Sequence, residues 1–408
     1  MQTAPQSNPA DSLDCDILIS GGGAAGLIAA AAFGAEGFSV ICCDPTPPVT
    51  AEAAQGADLR TTAFLHPSRA LLARAGLWDR FAPHVAPLQI MQIIDAGGVQ
   101  SRARLTRAFD AADISDEPFG WNLPNWLIRR EAMAALDALP NVTFLAGVAT
   151  TALTTRSTEA RVTLSDGRHV TTRLVVAADG RNSAMRAAAG IPVSTTRYGQ
   201  KAVVCTVTHP TPHQNISTEV HRWGGPFTLV PLPDRDGSPS SAVVWMERAA
   251  EADRLVALPM DDFTEALNER STGVLGQLTP VTARQSWPII SQIARRFHGE
   301  RLALIAEAAH VVPPIGAQGL NMSLADLADL VDLCVAHRAD PGTAPMLARF
   351  TRDRWLEVKA RVTGIDALNR ASMVSARPLR DLRAAALGAL YAIKPVRRTM
   401  MRAGLGMR

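Results

Sequence analysis

Apolar and polar positions follow different rhythms along this chain, and each rhythm predicts its own kind of element. In the first fifty residues the apolar positions come as short unbroken runs. Asp16–Ser20 (DILIS) and Phe38–Cys43 lack a polar face, as strands covered on both sides do, and the alanine-rich stretch between them reads as a helix. Within Ala57–Trp78 a helix enters at Pro67, whose fixed φ suits a first turn, and leaves at Gly76. Gly120–Leu136 reads as a turn followed by a helix.

From Asn141 to Arg173 polar and apolar residues alternate, and Asp166-Gly167 between Ala160–Leu164 and His169–Thr172 is a hairpin signal. The pattern runs on into Leu174–Ala178, another buried strand, and the turn Asp179-Gly180-Arg181-Asn182-Ser183. Between Gly190 and Pro288, β-branched runs such as Lys201–Val207, Phe227–Leu232 and Ser241–Met246 are separated by Pro- and Gly-rich turns, which predicts a mostly antiparallel sheet. Arg301–Ala306 is a last short apolar strand, and Pro313 and Pro314 hold the chain after it in an extended loop before a helix starts. Beyond Asp326 the periodicity is helical to the end, with no internal repeat and no low-complexity segment.

A chain of 408 residues is long enough for two cores, at ~100–200 residues per domain. A net charge of +3 is too diffuse for a nucleic-acid footprint, so no nucleic-acid partner is expected. Cys15, Cys42, Cys43, Cys205 and Cys334 have no CxxC spacing and read as reduced core residues of a cytoplasmic protein. The first residues carry no basic segment and no apolar core of a signal peptide, and no apolar run approaches the ~20 residues of a membrane span. A soluble or surface-lying protein is expected.

Three places carry candidate chemistry. The first is Gly21-Gly22-Gly23-Ala24-Ala25-Gly26 between strand and helix, a G-x-G-x-x-G pattern. Gly21 allows the tight turn, Gly23 lets a pyrophosphate approach, and Gly26 lets the helix pack on the strand. Asp44, 23 residues after Gly21 at the end of the next strand, stands where a ribose-binding carboxylate belongs. The second is Asp179-Gly180 at the end of a buried strand, with two readings open: a cofactor-holding carboxylate, or a turn whose Asp caps the next helix. The third is Glu307 to Asn321, where Pro314, Gly316, Gly319, Leu320 and Asn321 lead into a helix N-terminus suited to an anionic cofactor edge such as that of reduced flavin. Arg60 and Arg129 are candidate cofactor contacts, and Trp223, Phe227 and Trp245 are candidate pocket walls, with core packing as the alternative. His66 reads as a neighbour of a helix cap, and His310 as the holder of a structural hydrogen bond.

Taken in this order and at these separations, the three motifs resemble the fingerprints of single-component FAD-dependent aromatic hydroxylases, of the para-hydroxybenzoate-hydroxylase-like kind. Within them the chain is similar to the ubiquinone-biosynthesis hydroxylases, through Asp58 and Arg60 running to Gly76-Leu77-Trp78, Tyr198-x-Gln200-x-Ala202, Glu219 to Leu232, and Val244-Trp245. The likeness covers about Asp14 to Arg370.

The resemblance implies an α/β fold: a Rossmann-like FAD-binding domain with an inserted, mostly antiparallel β-sheet substrate domain and a C-terminal helical segment. The expected division is a disordered tail at 1–13, an FAD-binding domain of 14–85, 121–189 and 286–330, a substrate domain of 86–120 and 190–285, and C-terminal helices over 331–408. It also implies roles. Gly21, Gly23 and Gly26 face the FAD pyrophosphate, Asp44 the ribose, and Arg60 and Arg129 the flavin side. Asp179 and Gly180 belong to a segment tied to FAD and to a transient NADH or NADPH. Glu307 accepts from a ribityl hydroxyl, and Pro314, Gly316, Gly319, Leu320 and Asn321 line the isoalloxazine. Two departures stand out: Ala306-Glu307 where the family usually has Gly-Asp, and Met322-Ser323 after the Asn where a small glycine often follows.

The implied reaction is ring hydroxylation of a polyprenylated phenol by O2 through a flavin C4a-hydroperoxide, so no protein side chain need act as catalyst. Tyr198 is a candidate phenol contact, with a core role as the alternative. The rival readings are a soluble phenolic-acid hydroxylase and a non-catalytic FAD-bound subunit of a biosynthetic assembly. At the C-terminus, Leu379, Leu382, Ala386, Leu390 and Ile393 fall at helical spacing among Arg377, Arg380, Arg383, Lys394, Arg397, Arg398 and Arg402, with Asp381 as the single opposing charge. Such a segment suits the inner face of an anionic membrane or an assembly partner, or else packs as an ordinary helix.

Overall fold

The computed structural model describes residues 12–96, 103–222, 224–373 and 394–405. Trp223, most of the expected tail, and the C-terminal positions from Arg377 to Ile393 lie outside them.

The first sheet has eight strands, and its centre is parallel: Leu302–Leu304, His169–Ala177, Ser12–Ser20, Val40–Asp44 and Val142–Ala146, in that spatial order. Ile17, Leu18 and Ile19 are completely buried, because helix Ala24–Ala35 and its neighbours cover one face and the C-terminal helices help to close the core. Each such side chain contributes about 1.5–3 kcal/mol of transfer free energy. The first strand begins at Ser12, which pairs with His169, so the last two positions of the expected tail, Ser12 and Leu13, belong to a strand. The hairpin at Asp166-Gly167 is present, with Ala160–Leu164 antiparallel to His169–Ala177. The buried strand expected after it is the second half of that same strand.

The second sheet has nine strands and is mostly antiparallel, ordered His310–Val311, Gln285–Ala294, Val193–Thr208, Ser238–Arg248, Pro226–Arg235, Ile216–His221, Ile90–Asp95 and Leu105–Asp110, with Thr279–Pro280 beside the third of these. Strand period two sorts its side chains. Val203, Cys205, Val220, Phe227, Leu229 and Trp245 point to one face, against Leu255, Phe263 and Leu267 of helices Ala249–Ala257 and Met260–Ser271. Ala202, Met246 and Ile289, with Tyr198 and Val244, point to the other and meet Ile315 of the proline loop.

A small third sheet joins Thr61–Leu65, Gly120–Pro124 and Ala86–Leu88. Gly120–Pro124 is therefore a strand, where the sequence suggested a turn; a Cβ at Gly120 would lie 2.9 Å from the Phe64 carbonyl oxygen, so only glycine allows that pairing.

Candidate active site

The C-terminal ends of Ser12–Ser20, Val40–Asp44, His169–Ala177 and Leu302–Leu304 open on one edge of the parallel sheet, where the strand order reverses around the first strand. That crevice is where such sheets bind ligands. The three motif glycines differ in what they accomplish. At Gly21, φ is +106° and a Cβ would lie 2.5 Å from the Ala178 carbonyl oxygen; at Gly26 a Cβ would sit 1.8 Å from the Gly21 carbonyl oxygen. Gly23 has nothing within 4 Å of its Cβ position, so it faces open space. Gly22, which the motif leaves unspecified, is also required, since a Cβ there would meet the Phe144 ring and Asp44 at 2.8–2.9 Å. No side chain caps helix Ala24–Ala35 and no acid occupies its first turn, which leaves its amides for a ligand.

Asp44 sits beside this turn and accepts from the Gly22 amide at 2.6 Å and the Thr46 amide at 2.8 Å. Asp179 does half of what a cap would do: Oδ2 accepts from the Met185 amide at 3.2 Å, while Ser183 is the N-cap of the short helix Ala184–Ala188. Its Oδ1 is buried and has no hydrogen-bond partner among the described residues. A carboxylate oxygen shut away from water without a donor is costly. A ligand hydroxyl placed in the crevice would satisfy it.

After Leu304 the chain turns through Ala306, a buried non-glycine residue at φ +53°. Glu307 reaches toward Arg181 at 3.9 Å with 45% of its side chain exposed. Arg186, buried, donates to the carbonyls of Ala308 and Arg181 and so ties the Asp179 turn to this one. Pro313 is buried, but Pro314, Gly316, Ala317 and Gly319 form an exposed shelf. Gly316 and Ala317 both have left-handed φ, and helix Gln318–Ala336 starts without a side-chain cap or an acid in its first turn. Asn321 contributes differently from expectation. Its Oδ1 accepts from the Leu65 amide and the Ser68 hydroxyl, and its Nδ2 donates to the Ala63 and Ala317 carbonyls, all at 2.6–2.9 Å. The side chain is used up in clamping the loop to strand Thr61–Leu65, which leaves only its backbone for a ligand.

Arg60 and Arg129 come together, and the residue that joins them was not singled out as a contact. Asp58, 4% exposed, pairs with Arg60 through two hydrogen bonds of 2.8 and 2.7 Å, accepts from Asn125 at 3.2 Å and lies 3.6 Å from Arg129. Burial pushes the Asp58 carboxyl up, but Arg60, Asn125 and Arg129 more than offset this and hold it below the ordinary range. Arg60 also stacks over Trp287, 4.0 Å from the ring centroid, and the buried Trp287 indole N–H has no hydrogen-bond partner among the described residues. The alternation of strand Gln285–Ala294 was the available signal for Trp287.

The aromatic candidates divide. Phe227 and Trp245 pack edge to face, 5.6 Å apart, in the core beneath the two helices. They face away from the proline loop and are not pocket walls, because their strand positions have the opposite parity to Val244 and Met246. Tyr198 is on the loop side and donates to Asp366 at 2.5 Å; burial and that carboxylate push its hydroxyl up to about 12. His310 bonds Asp326 at 2.6 Å, both side chains fully buried, and Arg354 donates to the other Asp326 oxygen at 2.7 Å. That is a structural triad. His66 bonds the Pro118 carbonyl at 2.8 Å, so it fastens a neighbouring loop.

The glycine turn, the unpaired Asp179 oxygen and the open shelf thus suit a dinucleotide with a flat anionic ring, and the comparisons agree. A family model described as FAD binding domain matches residues 14–363. The ubiquinone hydroxylase UbiL of Rhodospirillum rubrum is 35% identical over 407 residues, spanning 99% of this chain and 92% of the relative. The chain belongs to the FAD-dependent hydroxylases of ubiquinone biosynthesis. It is a flavoprotein monooxygenase. The family's mitochondrial branch is also similar: the rat ubiquinone biosynthesis monooxygenase COQ6 is 26% identical, over 95% of this chain and 90% of its own. In fold, p-nitrophenol 4-monooxygenase PnpA of Pseudomonas putida superposes with a TM-score of 0.78 at 18% identity, covering 97% of this chain and 98% of its own. PqsL of Pseudomonas aeruginosa follows with 0.74 at 21%, covering 89% and 97%.

Proposed function

We propose that this hydroxylase acts on the ring of a polyprenylated phenol in ubiquinone biosynthesis, with O2 as co-substrate. The observation that supports the reading is an apolar cluster on the face of the second sheet that meets the cofactor loop: Ala202, Met246 and Ile289 are buried, and Tyr198, Val244 and Ile315 pack against them. Each buried tail carbon contributes ~0.8 kcal/mol, so a few isoprene carbons outweigh one neutral hydrogen bond of ~0.5–1.5 kcal/mol to the ring. Selection by tail fits such a wall.

FAD, reduced by NADH or NADPH as is typical of the family, supplies the oxygen-transfer chemistry. The chain's own residues hold and orient. Gly21, Gly23 and Gly26 take the pyrophosphate and Asp44 the adenosine ribose. Asp179, beside Gly180, accepts a cofactor hydroxyl on its unpaired oxygen, and Glu307 accepts a second. Pro314, Gly316, Gly319, Leu320 and the Asn321 backbone underlie the ring, while Asp58 sets Arg60 and Arg129 toward the same side. Ile315 and Val244 keep water from the reacting atoms. In this reading the FAD-binding unit comprises 14–85, 121–189 and 286–330, the substrate unit 86–120 and 190–285, and the C-terminal helices 331–408. Among the described residues no helix is long and apolar enough to cross a membrane.

Lipid analysis of a deletion strain that carries no other hydroxylase of this family tests the reading. Loss of ubiquinone with accumulation of an under-hydroxylated polyprenyl precursor is expected, restored by the wild-type chain and not by Asp179→Ala. Normal ubiquinone in that strain would redirect the assignment to small phenolic acids.

A further inference from the structure

We propose that the indole N–H of Trp287 holds the phenol oxygen of the substrate and so sets which ring carbons face the oxidant, an inference that deepens the functional reading above and rests on it. Trp287 stands directly opposite Ala202, which in turn stands opposite Met246, so all three side chains leave the second sheet on the same face. Ile289, two positions on, belongs to that face as well. Trp287 is therefore part of the wall that meets the cofactor loop. Its place there is fixed by its neighbours. Among the described residues no strand pairs with the outer edge of this half of Gln285–Ala294, and the segment before Arg60 covers it instead. Gln285 donates to the Ala57 carbonyl at 2.7 Å and accepts from the Leu59 amide at 3.3 Å. Pro288 keeps Trp287 extended and suits such an edge, where its missing N–H does no harm.

The polar side chains that share this part of the wall are committed elsewhere. Tyr198 donates its hydroxyl to Asp366 at 2.5 Å. Gln200, which is on the same face because it stands opposite Ile289, donates to the Gly224 carbonyl at 3.0 Å and accepts from Asn369 at 3.1 Å. Trp287 Nε1 is buried and has no hydrogen-bond partner among the described residues. An indole nitrogen can only donate, and a donor shut away from water without an acceptor is costly. A ligand oxygen answers it. The anionic edge of the cofactor ring has the uncapped amides of helix Gln318–Ala336 in the placement given above, whereas a phenol oxygen entering over Ala202 and Met246 meets the Trp287 N–H. Arg60, 4.0 Å from the indole centroid, draws electron density from the ring and makes that N–H the stronger donor. Apolar contact along a tail sets where the ring lies but leaves it free to rotate. One directional bond at its edge removes that freedom.

The experiment titrates the full FAD-loaded chain with ortho-geranylphenol and with geranylbenzene, which has the same ring and tail and no oxygen, and follows the flavin absorbance. Trp287→Phe keeps an aromatic ring beside Arg60 and removes the N–H. We expect the variant to bind ortho-geranylphenol about three- to tenfold more weakly than the wild type and geranylbenzene equally well, with FAD content and melting temperature unchanged. The ratio of hydroxylated ring positions, read by fragmentation of the product in a mass spectrometer, should shift as well. Equal weakening for both compounds would overturn the proposal in favour of plain packing, and lost FAD affinity with phenol affinity unchanged would overturn it in favour of a bond to the cofactor. Unchanged binding of both compounds, or an unchanged product ratio, would also overturn it. A wild type that binds neither compound would overturn the functional reading along with it. If the variant does not fold, the wild type decides: a wall that only packs the ring prefers geranylbenzene, and that preference would sink the assignment, whereas tighter binding of ortho-geranylphenol supports it.

Discussion

Asp58 grips Arg60 with both carboxylate oxygens, at 2.8 and 2.7 Å, and the same group stands 3.6 Å from Arg129. One buried acid thus sets two cations beside the proposed cofactor. Asp58→Asn is expected to destabilise the fold by about 1–3 kcal/mol, less than for a fully buried pair because 35% of the Arg60 side chain is exposed. FAD affinity should fall as well. The Asp58 carboxyl lies below its ordinary value, so the folded chain binds that proton more weakly than the unfolded one. Its contribution is complete above about pH 4 and is lost as pH falls through the folded value. Urea titrations of wild type and variant should therefore differ at pH 7 and converge in acid.

The glycine turn separates folding from binding. Gly26→Ala places a methyl 1.8 Å from a backbone oxygen and should lower the melting temperature even without FAD. Gly23→Ala meets nothing within 4 Å and should fold like the wild type while losing FAD affinity at least tenfold. Circular dichroism melts of the apoproteins, set beside flavin-fluorescence titrations, distinguish the two; equal FAD affinity in Gly23→Ala would remove the pyrophosphate from that position.

Ala306 stands at φ +53°, where an L residue is strained by about 1–2 kcal/mol and glycine is not. After the entropy that glycine adds to the unfolded chain, Ala306→Gly should stabilise the apoprotein by about 0.5–1 kcal/mol. Chemical denaturation measures this directly. A lowered midpoint would show that the buried methyl packs better than the backbone suffers.

Phe227 belongs to the core under the two helices, so Phe227→Ala should cost about 3–5 kcal/mol of stability. Substrate KM should stay near the wild-type value in whatever fraction is folded. Val244→Ala, on the loop side, should do the reverse: a small stability loss and a weaker hold on a tailed phenol. Steady-state kinetics with a short-tailed phenol, alongside denaturation, tests the pair.

Much of the site was legible because it is local. Strand, Gly21–Gly26, helix and Asp44 lie within one βαβ unit, and Asp179 and the proline loop each follow a short apolar strand. What escaped depends on distance or on parity. Asn321 meets Leu65 and Ser68 from more than 250 positions away, and no periodicity announces that. For Phe227 and Trp245 both readings, pocket wall and core, stayed open because both faces of their sheet are apolar and alternation then cannot tell the core from the pocket; the core reading is the one their packing fits. Ala306 was visible as a departure from Gly-Asp, but its left-handed backbone is a property of the folded turn.

His310 and Val311, two residues before the prolines, form the edge strand of the second sheet, paired with Ile293 and Gln292. The loop assigned to the oxidant and the wall assigned to the ring are therefore parts of one hydrogen-bonded ladder. Relative motion of the two sheets changes how the site is entered, while the reach from oxidant to ring stays fixed by strand register. Substitutions that loosen the inter-sheet contacts should accordingly alter substrate capture long before they misdirect the oxygen to another ring carbon.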